Sequence, residues 1–136
     1  MSSLNFEKKH EDIGTHICVD IVDAEYKYLN SDVIVLELLS AMSRMSLSTE
    51  ITKTIKKFKP QGITGFLLLE ESHISIHTYP ETGRAFIDIF TCGCCCKPEQ
   101  SIGIITSILG GRIAKKYTML RGDFMIATKE EISPGV

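Results

Sequence analysis

At 136 residues, 43% of them hydrophobic and 24% charged, the chain has the length and balance of a single globular domain, 1–136, able to bury a core without metal or disulfide staples. Its formal charge of −2 excludes a strongly basic nucleic-acid binder and leaves no membrane-surface footprint. No apolar run approaches the ~20 residues of a bilayer crossing, and the polar stretch Met1 to Asp12 carries no signal-peptide core, so the expectation is a cytoplasmic protein with no nucleic-acid or membrane partner.

Thr15 to Ile21 (THICVDI) alternates loosely and predicts a first strand, followed by a polar turn over DAEYKYLNSD. Asn30 or Ser31 is placed to cap a helix through VIVLELLSAMSRM, where Leu36, Leu39, Met42 and Met45 recur at helical spacing as the expected buried face. Thr49 to Phe58 (TEITKTIKKF) reads as a strand carrying Lys53, Lys56 and Lys57, with Lys59 just beyond. Lysines at that density suit a solvated edge strand better than an anion site. After the turn Pro60-Gln61-Gly62, ITGFLLLEE (Ile63 to Glu71) is the most apolar run and predicts a central strand. HISIHTY (His73 to Tyr79) and RAFIDIFTC (Arg84 to Cys92) alternate strictly around the turn Pro80 to Gly83, completing a three-strand meander. Pro98 suits the first turn of a helix over EQSIGIITSIL, stopped by Gly110-Gly111, and Lys115 to Arg121 is a last strand. The order predicts an α+β fold, an antiparallel sheet with two main helices on one face.

Five cysteines are an odd number, and four of them crowd into Cys92, Cys94, Cys95 and Cys96, a pattern that fits reduced thiols rather than a disulfide framework. The stretch from Glu70 to Cys96 also holds Glu71, Ser72, His73, His77, Glu81 and Asp88, and three chemistries compete for it. A metal site is disfavoured: on a strand, His73 and His77 stand about 13 Å apart, and Cys92-x-x-Cys95 has no second pair elsewhere in the chain. Thiol redox chemistry is disfavoured because no thioredoxin-like βαβ pattern precedes C-G-C-C. Ser72 as a nucleophile lacks the strand-to-helix elbow of a hydrolase. A serine in a tight strand–strand turn can instead attack its own preceding carbonyl, a reaction that gains from enforced proximity. Alternation places His73, Ser75 and His77 on one face, and Arg84, Phe86, Asp88, Phe90 and Cys92 on one face of the next strand. His73, Ser75 and Asp88 read as structural, and Cys18 as a small core residue.

The segment ITGFLLLEESHISIHTYPETGRAFIDIFTCG (Ile63 to Gly93) resembles the self-processing region of the prokaryotic S-adenosylmethionine decarboxylase family, and looser similarity extends from Gly14 to Gly122 through GTHICVDI, KFKPQG and LRG. The resemblance implies a proenzyme cut by serinolysis at Glu71-Ser72 into a β chain (1–71) and an α chain (72–136), with Ser72 becoming a covalent pyruvoyl group that replaces PLP and needs no metal. It implies His77 as proton acceptor in processing, supported by Thr64, and Cys92 as the proton donor to the substrate α carbon. It further implies that the pyruvoyl forms a Schiff base with the substrate amine. Phe58 matches the aromatic that stacks on the nucleoside base, and Glu81 the carboxylate that holds the ribose hydroxyls. The implied reaction is decarboxylation of S-adenosylmethionine to S-adenosylmethioninamine, the aminopropyl donor for spermidine, by a homodimer of cleaved protomers whose active sites each draw on two copies.

Some features depart from the family pattern. Cys94, Cys95 and Cys96 replace a polar loop and could expose the site to oxidation. Arg84 and Phe86 stand where the family commonly has an aromatic or small residue, then alanine. Relatives that decarboxylate arginine or ornithine share the same cleavage machinery, so those substrates are the alternative. Phe58 and Glu81 favour the nucleoside, because a basic amino acid has no base to stack and no diol to hold.

Overall fold

Period-two alternation and one long amphipathic helix organise the chain. The computed structural model describes residues 13–93 and 96–122 and the backbone of 127–130. The expectations for Met1 to Asp12, for Cys94 and Cys95, and for 123–126 and 131–136 lie outside the described residues. In chain order the elements are β1 (Gly14–Val22), α1 (Tyr26–Leu29), α2 (Asp32–Met45), β2 (Glu50–Lys57), β3 (Ile63–Leu69), β4 (Ser72–Tyr79), β5 (Arg84–Cys92), α3 (Ile102–Leu109), β6 (Arg112–Arg121) and β7 (Ala127–Glu130). The described residues form one seven-stranded antiparallel sheet in the order β2-β3-β4-β5-β1-β6-β7. The α+β expectation holds, with the β3-β4-β5 meander at the heart of the sheet.

Each inner strand sends alternate side chains to opposite faces. Ile17, Val19 and Ile21 of β1, Leu67 and Leu69 of β3, Ile74 and Ile76 of β4, and Ile87 and Ile89 of β5 all point inward. They form one core with Leu38, Leu39 and Met42 of α2 and Ile105 and Leu109 of α3, so both helices cover the same face. The lysine-rich β2 lies at the sheet edge with almost every side chain exposed, as a strand that must resist further pairing should.

Several expectations shift in detail. Ser31 caps α2, its side chain accepting from the Ile34 N–H at 3.2 Å. The buried face of that helix is Val35, Leu38, Leu39 and Met42, whereas Leu36 is half-buried and Met45 is 45% exposed. Two overlapping periodic sets exist in VIVLELLSAMSRM, and the docking angle on the sheet selects between them. The polar turn after β1 contains α1, wound because Leu29 anchors it in the core. Pro98 opens a 3₁₀ turn (Pro98–Ser101) that leads into α3, and Gly110 ends that helix at φ 75°, a conformation glycine adopts without steric cost. The β7 backbone adds a strand absent from the sequence expectation. Cys18 is half-buried on the open face rather than in the core, because Ile17 and Val19 take the inward positions.

Candidate active site

The face opposite the helices has no covering layer among the described residues. It carries His16 and Cys18 from β1, Thr64, Phe66 and Leu68 from β3, His73, Ser75, His77 and Tyr79 from β4, and Phe86, Asp88, Phe90 and Cys92 from β5. Phe66, Leu68, Tyr79 and Phe86 remain 38–44% exposed there. The residues singled out in the sequence fall into two groups at opposite ends of this sheet.

One end is built where β3 turns into β4. Leu69 pairs with Ser72, so the turn is only Glu70-Glu71, and the Glu70 N–H is held by the Thr49 carbonyl at 3.1 Å. Two-residue hairpins favour Gly or Asn at positions of positive φ. Here Glu71 occupies φ 55°, a left-handed conformation that costs a side-chain-bearing residue roughly 1–2 kcal/mol. Directly after it, Ser72 is 6% exposed and faces inward with Ile74. The end of β5 closes on this turn: the Cys92 N–H donates to Ser72 Oγ at 3.4 Å, and the Cys92 thiol donates to Glu71 Oε2 at 3.0 Å. That hydrogen bond to Glu71, then loss of hydration, then the charges of Glu71 and Cys96 push the Cys92 thiol up to about 11. Beyond Cys92 the chain docks on the end of α2, where Lys97 N–H meets the Ser46 carbonyl at 2.7 Å and Ser48 Oγ lies 3.6 Å from Cys96 Sγ.

The other end holds His77, Thr64, Glu81 and Phe58. Thr64 and His77 are direct cross-strand partners, with Thr64 Oγ1 3.2 Å from His77 Nδ1. Glu81 is exposed in the 3₁₀ turn Pro80–Thr82 between β4 and β5. Phe58 follows β2 and is 46% exposed, its N–H bonded to the Gly62 carbonyl at 2.8 Å. This end is braced from the core side by Thr78, whose hydroxyl accepts from Ile63 N–H at 2.9 Å and donates to the Leu29 carbonyl at 2.8 Å. Arg84 pairs with Tyr79 here and is exposed, and Phe86 pairs with His77.

Ser72 and Cys92 are therefore brought together, as are Thr64 and His77, but the two pairs are separate within one chain. His77 lies roughly 16 Å along β4 from Ser72 at ordinary strand rise, and their side chains leave opposite faces of the sheet. No rotamer spans that gap.

Between the two ends sits a cluster of the residues that read as structural in the sequence, His73, Ser75 and Asp88, joined by His16, which the sequence did not single out. His16 on β1 and His73 on β4 both pair with Phe90 of β5, so their rings flank it. Their Nε2 atoms lie 2.7 and 3.3 Å from Asp88 Oδ2, and Ser75 donates to Asp88 Oδ1. The ligand atoms of His16, His73 and Asp88 lie within 4.8 Å of one another, a spacing open to a metal ion. However, Arg121 Nη1 stands 3.3 Å from His16 Nδ1. Arginine can only donate, so the His16 proton sits on Nε2, toward Asp88. Ligation through Nε2 would instead turn an Nδ1 N–H against the guanidinium, and the arrangement suits a hydrogen-bond network better. Only the pairing of β1 with β5 reveals it, since the sequence separates His16 from Asp88 widely.

Burial alone would raise the Asp88 carboxyl, but hydrogen bonds from Ser75, His16 and His73, with the nearby His73 charge, outweigh it and hold Asp88 below its usual range. A carboxyl lowered on folding stabilises the fold fully above its unfolded pKa of about 4, and that contribution is lost as pH falls through the lower folded value. Asp88→Asn is expected to lower unfolding free energy by about 1.5–3 kcal/mol at neutral pH. The difference from wild type should shrink in urea melts run below about pH 4; a pH-independent difference would contradict an ionised Asp88 as its source.

Known proteins resemble this chain in sequence and in fold. The S-adenosylmethionine decarboxylase family profile matches residues 15–122. The S-adenosylmethionine decarboxylase proenzyme of Symbiobacterium thermophilum is 37% identical over 109 residues, covering 80% of this chain and 83% of that relative. The proenzyme of the same description from Methanococcus aeolicus is 40% identical over 97 residues, covering 71% and 83%. The solved adenosylmethionine decarboxylase from Aquifex aeolicus is similar with a TM-score of 0.71 at 29% identity, over 92% of this chain and 99% of that one. Among the described residues, no helix is long and apolar enough to cross a membrane.

Proposed function

The chain belongs to the S-adenosylmethionine decarboxylase family, and from that premise we propose that it is a cytoplasmic, self-processing decarboxylase of S-adenosylmethionine whose single domain is cut at Glu71-Ser72 and whose active site is completed by a second copy. The observation that carries the reading is the strained Glu71 followed at once by a buried Ser72, with Cys92 alongside.

In the processing reaction Ser72 Oγ attacks the Glu71 carbonyl carbon, the amide C–N bond breaks, and an ester joins the two residues. Loss of the Ser72 α proton expels the Glu71 carboxylate, leaving a dehydroalanine at position 72. Its enamine tautomerises, water adds, ammonia leaves, and a pyruvoyl group remains at the head of the 72–136 chain. The keto group so formed supplies an electron sink for loss of CO₂ from an α-amino acid. The residues around position 72 fit that group. Ser72 itself is shielded from bulk water, the Cys92 N–H is directed at the reacting oxygen, and Cys92 carries a thiol proton to deliver to carbon.

The first acyl shift needs a base for the Ser72 proton, and His77 of the same chain cannot reach it. A second copy laid across the open face in antiparallel fashion would bring His77 and Thr64 of one protomer to the end of the sheet where the other carries Cys92 and the exposed Glu71 turn that leads into Ser72. The same packing covers Phe66, Leu68, Tyr79 and Phe86, an exposed apolar face of the kind that marks an interface. A two-fold arrangement makes two equivalent composite sites. Phe58 and Glu81 share the His77 end, so they reach the substrate from that same protomer, Phe58 against the adenine and Glu81 against the ribose diol.

Carboxyl-labelled S-adenosylmethionine, arginine and ornithine offered side by side to purified protein test the substrate. CO₂ release from S-adenosylmethionine alone is expected. Release from a basic amino acid would overturn the nucleoside reading and leave the processing chemistry in place.

A further inference from the structure

Cys92 is doubly committed in the uncut chain. Its N–H is given to Ser72 Oγ and its thiol to Glu71 Oε2, two acceptors that flank the bond to be broken. Held against the Glu71 side chain, a thiolate here would be a rival nucleophile for the bond between residues 71 and 72, intrinsically stronger than a neutral hydroxyl. Attack by sulfur would break the same C–N bond but place the acyl group on Cys92 as a thioester. Ser72 would then be left as an ordinary amino-terminal serine, with no ester to eliminate and no route to a ketone. Something must keep the sulfur out of the reaction while serine performs it.

We propose that the Glu71 side chain is a positioning residue that holds Cys92 as the neutral thiol until the chain is cut, so that serine and not cysteine takes the Glu71 carbonyl. The inference rests on the processing reaction above. An ionised carboxylate offers only acceptor sites, so a thiol bonded to it at 3.0 Å must retain its proton. No bond to Glu71 Oε2 forms or breaks, and the proton stays on Sγ throughout. The left-handed turn at Glu71 is what aims its side chain at the end of β5. The described titratable groups that act on the thiol are Glu71 from the β3–β4 turn and Cys96 from beyond β5, and both disfavour the thiolate. Gly14, opposite Cys92 on β1, contributes none. Once the chain is cut, Glu71 becomes the carboxyl end of the 1–71 chain and loses its backbone tie to position 72. The clamp on Cys92 is then released, which frees the thiol for its later role as proton donor.

The test follows thiol reactivity rather than turnover. Ser72→Ala keeps the chain whole, and Cys94→Ser, Cys95→Ser and Cys96→Ser leave Cys92 as the one thiol in its peptide. Its alkylation by iodoacetamide is measured by mass spectrometry across a pH series, against the same protein carrying Glu71→Gln. The parent is expected to alkylate with a midpoint well above the ordinary ~8.5, because the Glu71 hydrogen bond and charge remain. Glu71→Gln should bring that midpoint toward the ordinary ~8.5 and speed alkylation at mildly alkaline pH by roughly tenfold or more. Glu71→Ala, with unchanged circular dichroism, should do the same. Coincident pH profiles for parent and variants would overturn the proposal. Failure of the processing reading shows elsewhere, as a wild-type chain that never splits by intact mass, and leaves the alkylation comparison standing.

Discussion

Ser72→Ala is expected to run as one uncut 15.2 kDa chain and to release no CO₂ from S-adenosylmethionine, a loss of at least roughly 10³-fold. Wild-type protein should instead yield two fragments meeting at Glu71-Ser72, the second of them beginning with a ketone that carbonyl reagents trap. The variant removes only a hydroxyl that accepts one hydrogen bond from Cys92, so its fold should survive with a loss of about 1 kcal/mol. Loss of both cleavage and activity from a folded protein therefore reports chemistry. A cut Ser72→Ala chain, or one that retains activity, would remove Ser72 from the mechanism.

The second large effect is a recovery. Ser72→Ala and His77→Ala are each expected to be inactive alone, yet active when co-expressed. If each site takes Ser72 from one copy and His77 from the other, a mixed dimer has one site with both defects and one with neither. Random pairing makes about half the dimers mixed, and half of their sites sound, so activity should return to roughly a quarter of wild type. Native mass spectrometry establishes that mixed dimers are present. Mixed dimers without activity would return His77 to its own chain's site and sink the composite arrangement. The prediction is sharp because the separation behind it is large, roughly 16 Å of strand and two different faces.

Much of this architecture is legible in the residue order. Strict alternation in HISIHTY and RAFIDIFTC assigns every side chain of β4 and β5 to a face, and the structure keeps each assignment. The lysines of β2 announce an edge. Helix phase is less secure, since a run as apolar as VIVLELL offers more than one face, and contact with β3 decides that Val35 and Leu38 turn inward rather than Leu36 and Met45. The short helix α1 is invisible to propensity because one buried leucine, not the local pattern, sustains it.

The candidate site divides along the same line. Local order places Ser72 between two strands in a turn that contains no glycine, asparagine or proline, which is already a signal of strain. Its unbroken resemblance to the family's processing segment is what singles out Ser72, His77 and Cys92 as candidates in the sequence. What no local pattern contains is distance across the sheet. Strand pairing sets the end of β5 against the β3–β4 turn, so that Cys92 meets both Glu71 and Ser72, and the same pairing carries His77 to the far end beside Thr64. It also gathers His16 onto Asp88 from a strand remote in the chain. Side-chain chemistry and strand parity are properties of neighbouring residues, and the order of amino acids suffices to establish them. Which reactive groups meet depends on long-range pairing register and on an uncovered face, and those arise only when strands far apart in the chain close into one sheet.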